Sequence, residues 1–301
     1  MESSHTAVYR QNNIWRWIIT ACGLLMIIIT LAIGAFLCYK GVGTFTTYGH
    51  SVGEFLFSSQ WAPADNAQGG GKVGAAIFIF GSIITCTLAL LISTPFSIAS
   101  AIFMTEISPG IGRKILQPAV EIFVGIPSVV YGWIGLTILV PFIKDLFDLK
   151  FGFSVLAAGI VLAVMIYPTI TSLSADAIRS IPKSFRQASY GLGATRWQTI
   201  SQVVIPASKS GLMTAIVLGL ARAFGEALAV AMVIGKMKAF PESLLSPTTN
   251  LTAAIASDMG GAMEGSEYNI ALWSMALLLF IISLVFIFII HYISAKEGHK
   301  A

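Results

Sequence analysis

Long apolar runs separated by short polar stretches dominate the chain. Six runs, at 17–39, 75–104, 116–142, 153–175, 211–235 and 269–292, are long enough to cross a bilayer. A helix needs about 20 apolar residues for that crossing. Lipid admits only helices or closed barrels as spanning structures, because every backbone polar group must find a partner within the protein. The runs are continuous and lack the two-residue alternation of a barrel strand. The pattern predicts an all-α integral membrane protein with six transmembrane helices. Residues 1–74 hold an N-terminal tail, the first span and an outer loop; 75–292 form a core of five spans; 293–301 are a tail. The first run follows Arg10 and Arg16 and exceeds the apolar core of a signal peptide, about 7–15 residues, so it reads as an uncleaved span.

Composition agrees with the pattern. Of 301 residues, 56% are hydrophobic and 11% charged, and the mean hydropathy is +0.82. A soluble domain carries about 25% charged residues, so these charges cannot cover a soluble surface. Loop charges then set the orientation. Eleven basic residues fall in the N-terminus, the 105–115 and 176–210 loops and the C-terminus, against six in the 40–74, 143–152 and 236–268 loops. The first set, with both termini, is expected in the cytoplasm. Cys22, Cys38 and Cys86 sit in or beside apolar runs and read as small apolar fillers. No metal-binding Cys/His spacing occurs, and no metal or nucleic acid is expected.

The outer segment "ADNAQGGGK" (64–72) reads as a flexible turn. It is not a nucleotide loop, since Val73 follows Lys72 where Ser or Thr is required. Any use of ATP therefore falls to another chain. The 176–210 loop is richer. Ser184 with Gln187, and Thr195 with Gln198, fit capping boxes and predict two short helices. Gly191 and Gly193 fall at the chain reversal between them, and Pro206 is expected to end the second.

Two charges lie inside the fifth run. Counted from Gly211, Arg222 is about 16 Å and Glu226 about 22 Å into a core of about 30 Å. Charges there are costly and need a partner or a watery path. Their i, i+4 spacing predicts one helix face. They either line an anion path, where an arginine fork suits phosphate oxygens, or neutralise each other while fixing packing. Ala215, Gly219, Ala223, Ala227 and Ala231 form a small-residue stripe on the same run, read as packing and as a possible seam with a partner. In "GIPSVVYG" (125–132), Pro127 bends the third span, either for packing alone or to turn Ser128 and Tyr131 towards a path. Pro168 offers a second bend, in span four, with the same ambiguity, and Glu121, a few residues inside span three, reads either as a hydrogen-bonding partner at the cytoplasmic end or as a snorkelling side chain. Trp15, Trp17 and Trp61 are expected as interfacial anchors.

Gln187-Ala188-Ser189, Gly193 and the Val203–Pro206 group resemble the EAA motif of ABC-importer permeases, with Gln187 and Ser189 replacing Glu and Ala. "GIPSVVYG", "ARAFGEALAV" and "LTAAIASDMG" resemble the phosphate-importer permeases, the PstC-type subunit more closely than its PstA-type partner. The resemblance implies a type I (MetI-like) importer bundle in the bacterial inner membrane, transporting phosphate without catalysing a reaction itself. It implies a second, PstA-type permease, two copies of a cytoplasmic ATPase that uses the ATP, and an extracytoplasmic phosphate-binding protein. Arg186, Gln187, Ala188, Ser189, Gly191, Gly193 and Pro206 would then belong to the coupling helix that docks on the ATPase. Molybdate or tungstate is the alternative cargo. A proton-coupled secondary transporter is another reading, but no paired broken helices are expected. A membrane scaffold without transport is the third.

Overall fold

The computed structural model describes residues 2–298, with side chains described for 15–292. The side chains of Glu2, Arg10, Lys296, Glu297 and Lys300 lie outside the described residues. The first span belongs to a long helix, α1 (Glu2–Gly41). Then follow α2 (Ala76–Ile107), α3 (Gln117–Gly125), α4 (Ser128–Leu146) and α5 (Val155–Arg179). The polar loop holds α6 (Lys183–Gly191) and α7 (Arg196–Ala207). Next come α8 (Lys209–Gly225), α9 (Leu228–Val233), α10 (Leu251–Asp258) and α11 (Glu267–Gly298). Among the described residues five helices are long and apolar enough to span, and the bent pair α7–α8 brings the number to six.

Two of the six predicted spans are interrupted: the bend expected at Pro127 in span three is a full break, and span five breaks where no bend is expected. Span three stops at Gly125; Ile126 is extended (ψ 128°), and α4 restarts after Pro127. Span five stops at Gly225; Glu226 is extended (ψ 122°), and α9 restarts at Leu228. The first break has a local cause, because a proline disfavours helical backbone in the residue before it. The second follows a glycine, a weak helix former.

Prolines shape the remaining helices differently. Four π-helical turns, at Phe103–Ile107, Gly112–Leu116, Gly135–Leu139 and Ile200–Val204, are described. Each is centred four residues before a proline; Pro118, Pro141 and Pro206 lie in the same run of helix as their π-turn, whereas Pro109 starts a new helix after the non-helical Ser108. A proline ring clashes with the carbonyl four residues back and gives it no N–H. Widening the turn at that residue moves the carbonyl off the ring. Pro206 therefore does not end its helix. α7 runs through it to Ala207 and turns by 67° into α8.

The two sets of loops segregate as their charges predict. At one end, Arg186 and Arg196 of the 176–210 loop bind Glu106. At the other, Tyr48 donates to the Gly265 carbonyl and Lys238 pairs with Asp258. A central core joins α2, α4, α5, α8 and α9, with Leu162, Ile166 and Ile170 fully buried. A cluster around Phe78 and Leu272 caps the outer end, and one around Ile178 and Val204 the inner end. α1 packs on α11 at the periphery and leaves most of its surface exposed.

The 64–72 segment is not a loose turn. A small antiparallel pairing, Trp61–Ala62 with Lys72–Val73, closes it. Inside, the fully buried Glu267 carboxylate accepts from the backbone N–H groups of Ala64 (2.7 Å), Gly71 (2.8 Å) and Gly70 (3.2 Å). His50 Nε2 lies 2.7 Å from the same carboxylate. A Cβ on Gly71 would sit 2.5 Å from Glu267 Oε2, so only glycine admits the backbone this close. Trp61 is a second correction. It packs edge-on against Phe78 in this cap, with ring centroids 4.8 Å apart, because the folded outer loop offers it an aromatic partner. Trp15 and Trp17 stay exposed, as anchors require.

Candidate functional site

The two helix breaks are neighbours. Beyond them α4 and α9 pack side by side, and Gly132 makes this possible. A Cβ there would lie 2.8 Å from the Ala229 Cα and the Met232 sulfur. Each break is tied down by side chains. Tyr131, 8% exposed, donates its hydroxyl to the Phe123 carbonyl (2.7 Å) across the first break. Glu226 accepts at its carboxylate from Ala229 N (3.1 Å), which caps the start of α9. Thr252 of α10 donates to the Glu226 carbonyl (2.7 Å). Carbonyls and N–H groups released by a break inside a membrane bundle must be satisfied this way.

Arg222 and Glu226 do not pair. α8 ends between them, so the i, i+4 face on which pairing depended does not exist. Arg222 sits in the last turn of α8, where the helix dipole favours a cation. Its Nη1 donates to Thr169 Oγ1 of α5 at 2.6 Å, its one hydrogen bond among the described residues. A half-buried guanidinium here has one neutral partner and no neighbouring carboxylate in contact. Ser128 opens α4 beside the first break, half-buried, with no hydrogen bond from its hydroxyl among the described residues. Glu121 lies away from these groups, exposed on α3, and accepts from Gln117.

The small-residue stripe is not a seam with another chain over its first half. Ala215, Gly219 and Ala223 are buried against this chain's own helices, and a Cβ on Gly219 would lie 2.5 Å from Ile170 of α5. The break at Glu226 then takes Ala227 and Ala231 out of register.

The polar loop is a helical hairpin held to the inner end of the bundle. Thr195 and Gln198 form the expected capping box. Ser184 does not: α6 starts two residues earlier, at Lys183, with an extended Pro182 in the N-cap position. Gly193 adopts φ +79°, the left-handed conformation that the reversal needs. Ser189 and Thr199 hydroxyls meet at 2.9 Å in the buried seam between the two helices. Arg186 is fully engaged. Its Nη2 and Nε bind Glu106 (2.5 and 3.1 Å), while Nη1 and Nη2 bind the carbonyls of Ile181 and Ile178. Arg196 donates to the carbonyls of Glu106 and Ile107. Phe185, Leu192 and Trp197 project outward, with Leu192 89% exposed. Gln187, Ala188 and Gly191 are exposed on α6, and Pro206 is exposed on α7.

Thr169, Thr252 and Glu106 were not singled out by sequence. Each is an ordinary residue for its segment, and only its partner in space gives it a role.

The model of the family "Binding-protein-dependent transport system inner membrane component" matches residues 93–298. A probable ABC transporter permease of Bacillus subtilis, YqgH, is 54% identical over 94% of this chain and 90% of its own length. The phosphate transport system permease protein PstC of Haemophilus influenzae is 35% identical over 88% of this chain and 87% of its own. The bacterial alginate ABC transporter in complex with its periplasmic protein is similar in structure, with a TM-score of 0.62, 18% identity and coverage of 93% of this chain and 94% of that one. The inward-facing MetNI methionine transporter gives a TM-score of 0.53 at 20% identity, covering 72% of this chain and 96% of that one.

Proposed function

Because the chain belongs to the family of binding-protein-dependent transport inner-membrane components, a multi-pass ABC importer permease subunit, we propose that its cargo is phosphate. The observation that carries this reading is Arg222, a cation inside the bundle held by one neutral hydroxyl. An arginine so placed is available to an anion, and its planar fork matches two phosphate oxygens. The similarity to phosphate permeases points the same way.

In this reading Arg222, Tyr131 and Ser128 line the path, and Glu226 acts through the α9 cap rather than as a partner of Arg222. Full dehydration of the anion would be expensive, so the site is weak and transient. Selection is left to an extracytoplasmic phosphate-binding protein. A PstA-type permease completes the bundle, and two copies of a cytoplasmic ATPase use the ATP; this chain holds no cofactor. Residues 75–292 are the working core. The hairpin carrying Arg186, Gln187, Ala188, Ser189, Gly191, Gly193 and Pro206 transmits ATPase closure. Its rigidity comes from the Glu106 anchor and the Ser189–Thr199 contact, so a push on the exposed face reaches α2, α5 and α8. Closure biases a two-state bundle through contacts made in one state only.

The deciding experiment is ATP-dependent uptake of labelled phosphate by the reconstituted complex, competed with arsenate, sulfate and molybdate. Competition by arsenate alone is expected. Stronger competition by molybdate would transfer the reading to that oxyanion.

A further inference from the structure

A cavity of about 530 Å³ opens at the cytoplasmic end of the bundle, walled by the π-helical turn at Phe103–Ile107, the end of α5 and one flank of α6. Lys183, Arg186, Gln187 and Tyr190 face into it, a spacing that puts them on one side of α6. Ser184, Phe185, Ala188 and Leu192 line a separate groove on the other side. The cavity therefore lies on the opposite flank of α6 from Ala188 and Leu192, and it shares Arg186 and Gln187 with the hairpin assigned above to ATPase coupling.

Its charge is one-sided. Arg113, Arg179, Lys183 and Arg186 face a single acid, Glu106. Glu106 and Arg186 neutralise each other and form a fixed wall. Arg179 is half-engaged, through Gln117 (3.0 Å) and a long contact to Asp176 (3.4 Å). Among the described residues Arg113 and Lys183 make no hydrogen bond or ion pair. A general excess of cytoplasmic cations explains why basic residues lie at this end, but not why several converge on one concavity around an acid already occupied. The cavity lies at the cytoplasmic ends of spans two and four, beside the turn that leads into span three. Ile111 and Ile115, 49% and 62% exposed, flank Arg113 on the same stretch of chain and offer acyl chains an apolar surface.

We propose that this cavity binds a phosphate group from the cytoplasmic side, carried by an anionic inner-leaflet lipid or present as free inorganic phosphate. Arg113 and Lys183 contact it directly, and the Arg186–Glu106 pair holds the wall. Basic pockets between span ends recognise lipid phosphates by the same charge complementarity. Gln187 matters here because an acid at that position would place a carboxylate in the cavity and oppose the anion.

The test uses the purified full-length chain. Retention of phosphatidylglycerol and of phosphatidylcholine is measured by native mass spectrometry, and labelled inorganic phosphate by equilibrium dialysis in an Arg222→Ala background. Arg113→Gln with Lys183→Gln is expected to weaken binding about thirtyfold, from the usual contribution of two cations near a lipid surface. Gln187→Glu, which spares every cation, should weaken it in the same direction. Loss of phosphatidylglycerol with phosphatidylcholine unchanged assigns the site to lipid. Loss of labelled phosphate alone assigns it to the free anion. Native-like retention of both ligands by the double variant and by Gln187→Glu overturns the proposal. Equal thermal midpoints check that the variants fold.

Discussion

Arg222 sets the problem at the scale of the residue. Its charge and depth were legible in the sequence, but its partner was not. The helix periodicity named Glu226, four residues on; the structure supplies Thr169, 53 positions away in sequence. Arg222→Ala is expected to reduce phosphate uptake to background while the protein still assembles with its partners; normal uptake would remove Arg222 from the path. Thr169→Val keeps the shape and deletes the acceptor. A hydrogen bond to a charged group contributes about 1.5 kcal/mol or more, so Arg222 loses its positioning partner and phosphate uptake should fall while assembly is kept; unchanged uptake would assign Thr169 to packing alone. His50 gives a prediction in pH. Burial pushes its pKa down, but hydrogen bonds and charge from Glu267 and Glu54 outweigh this, and the net shift is upward from 6.5. Both ring nitrogens face carboxylates, so only the imidazolium donates to both. A raised pKa gives stabilisation that is fully present below about 6.5 and lost as pH rises through the folded value. The thermal midpoint should therefore fall as pH rises above 6.5, and His50→Gln should flatten that slope.

At the scale of the element, the hairpin of α6 and α7 depends on backbone as much as on side chains. Gly193 has open space around it, so a larger side chain meets no clash. Its cost comes from the left-handed backbone, about 1–2 kcal/mol for an ordinary residue. Gly193→Val is expected to leave ATP hydrolysis measurable while uptake falls, read by assaying both in one proteoliposome preparation. Arg186 tests the anchor. Arg186→Glu sets a like charge against Glu106 and strips two carbonyls of their donor. It should speed hydrogen exchange across 183–199 and uncouple uptake; native exchange rates would mean that the hairpin is held by its other contacts. The first half of this element was misplaced in the sequence reading because Ser184 offered a capping side chain, whereas Pro182 fixed the start.

The whole molecule is a bundle whose two loop sets meet at opposite ends. Membership of the importer family makes its motion depend on a separate motor. Uptake should stop when the ATPase is removed and return when it is added back, and persistent uptake without it would favour a gradient-driven carrier. Broken helices also occur in such carriers, so the breaks in spans three and five do not by themselves separate the two classes.

The sequence alone determined the class, the six apolar runs and the sidedness of the loops. These rest on local composition: how many apolar residues run together and where the lysines and arginines fall. The capping box at Thr195 and the turn at Gly193 were legible for the same reason, since their partners lie within a few residues. Only the tertiary structure decided what satisfies the break in span five, what held Arg222, and why Gly70 and Gly71 lie against a buried glutamate. In each case the decisive partner lies far along the chain: Thr252 for Glu226, Thr169 for Arg222, Gly70 and Gly71 for Glu267. A buried polar group must be satisfied, but periodicity cannot say by which distant residue.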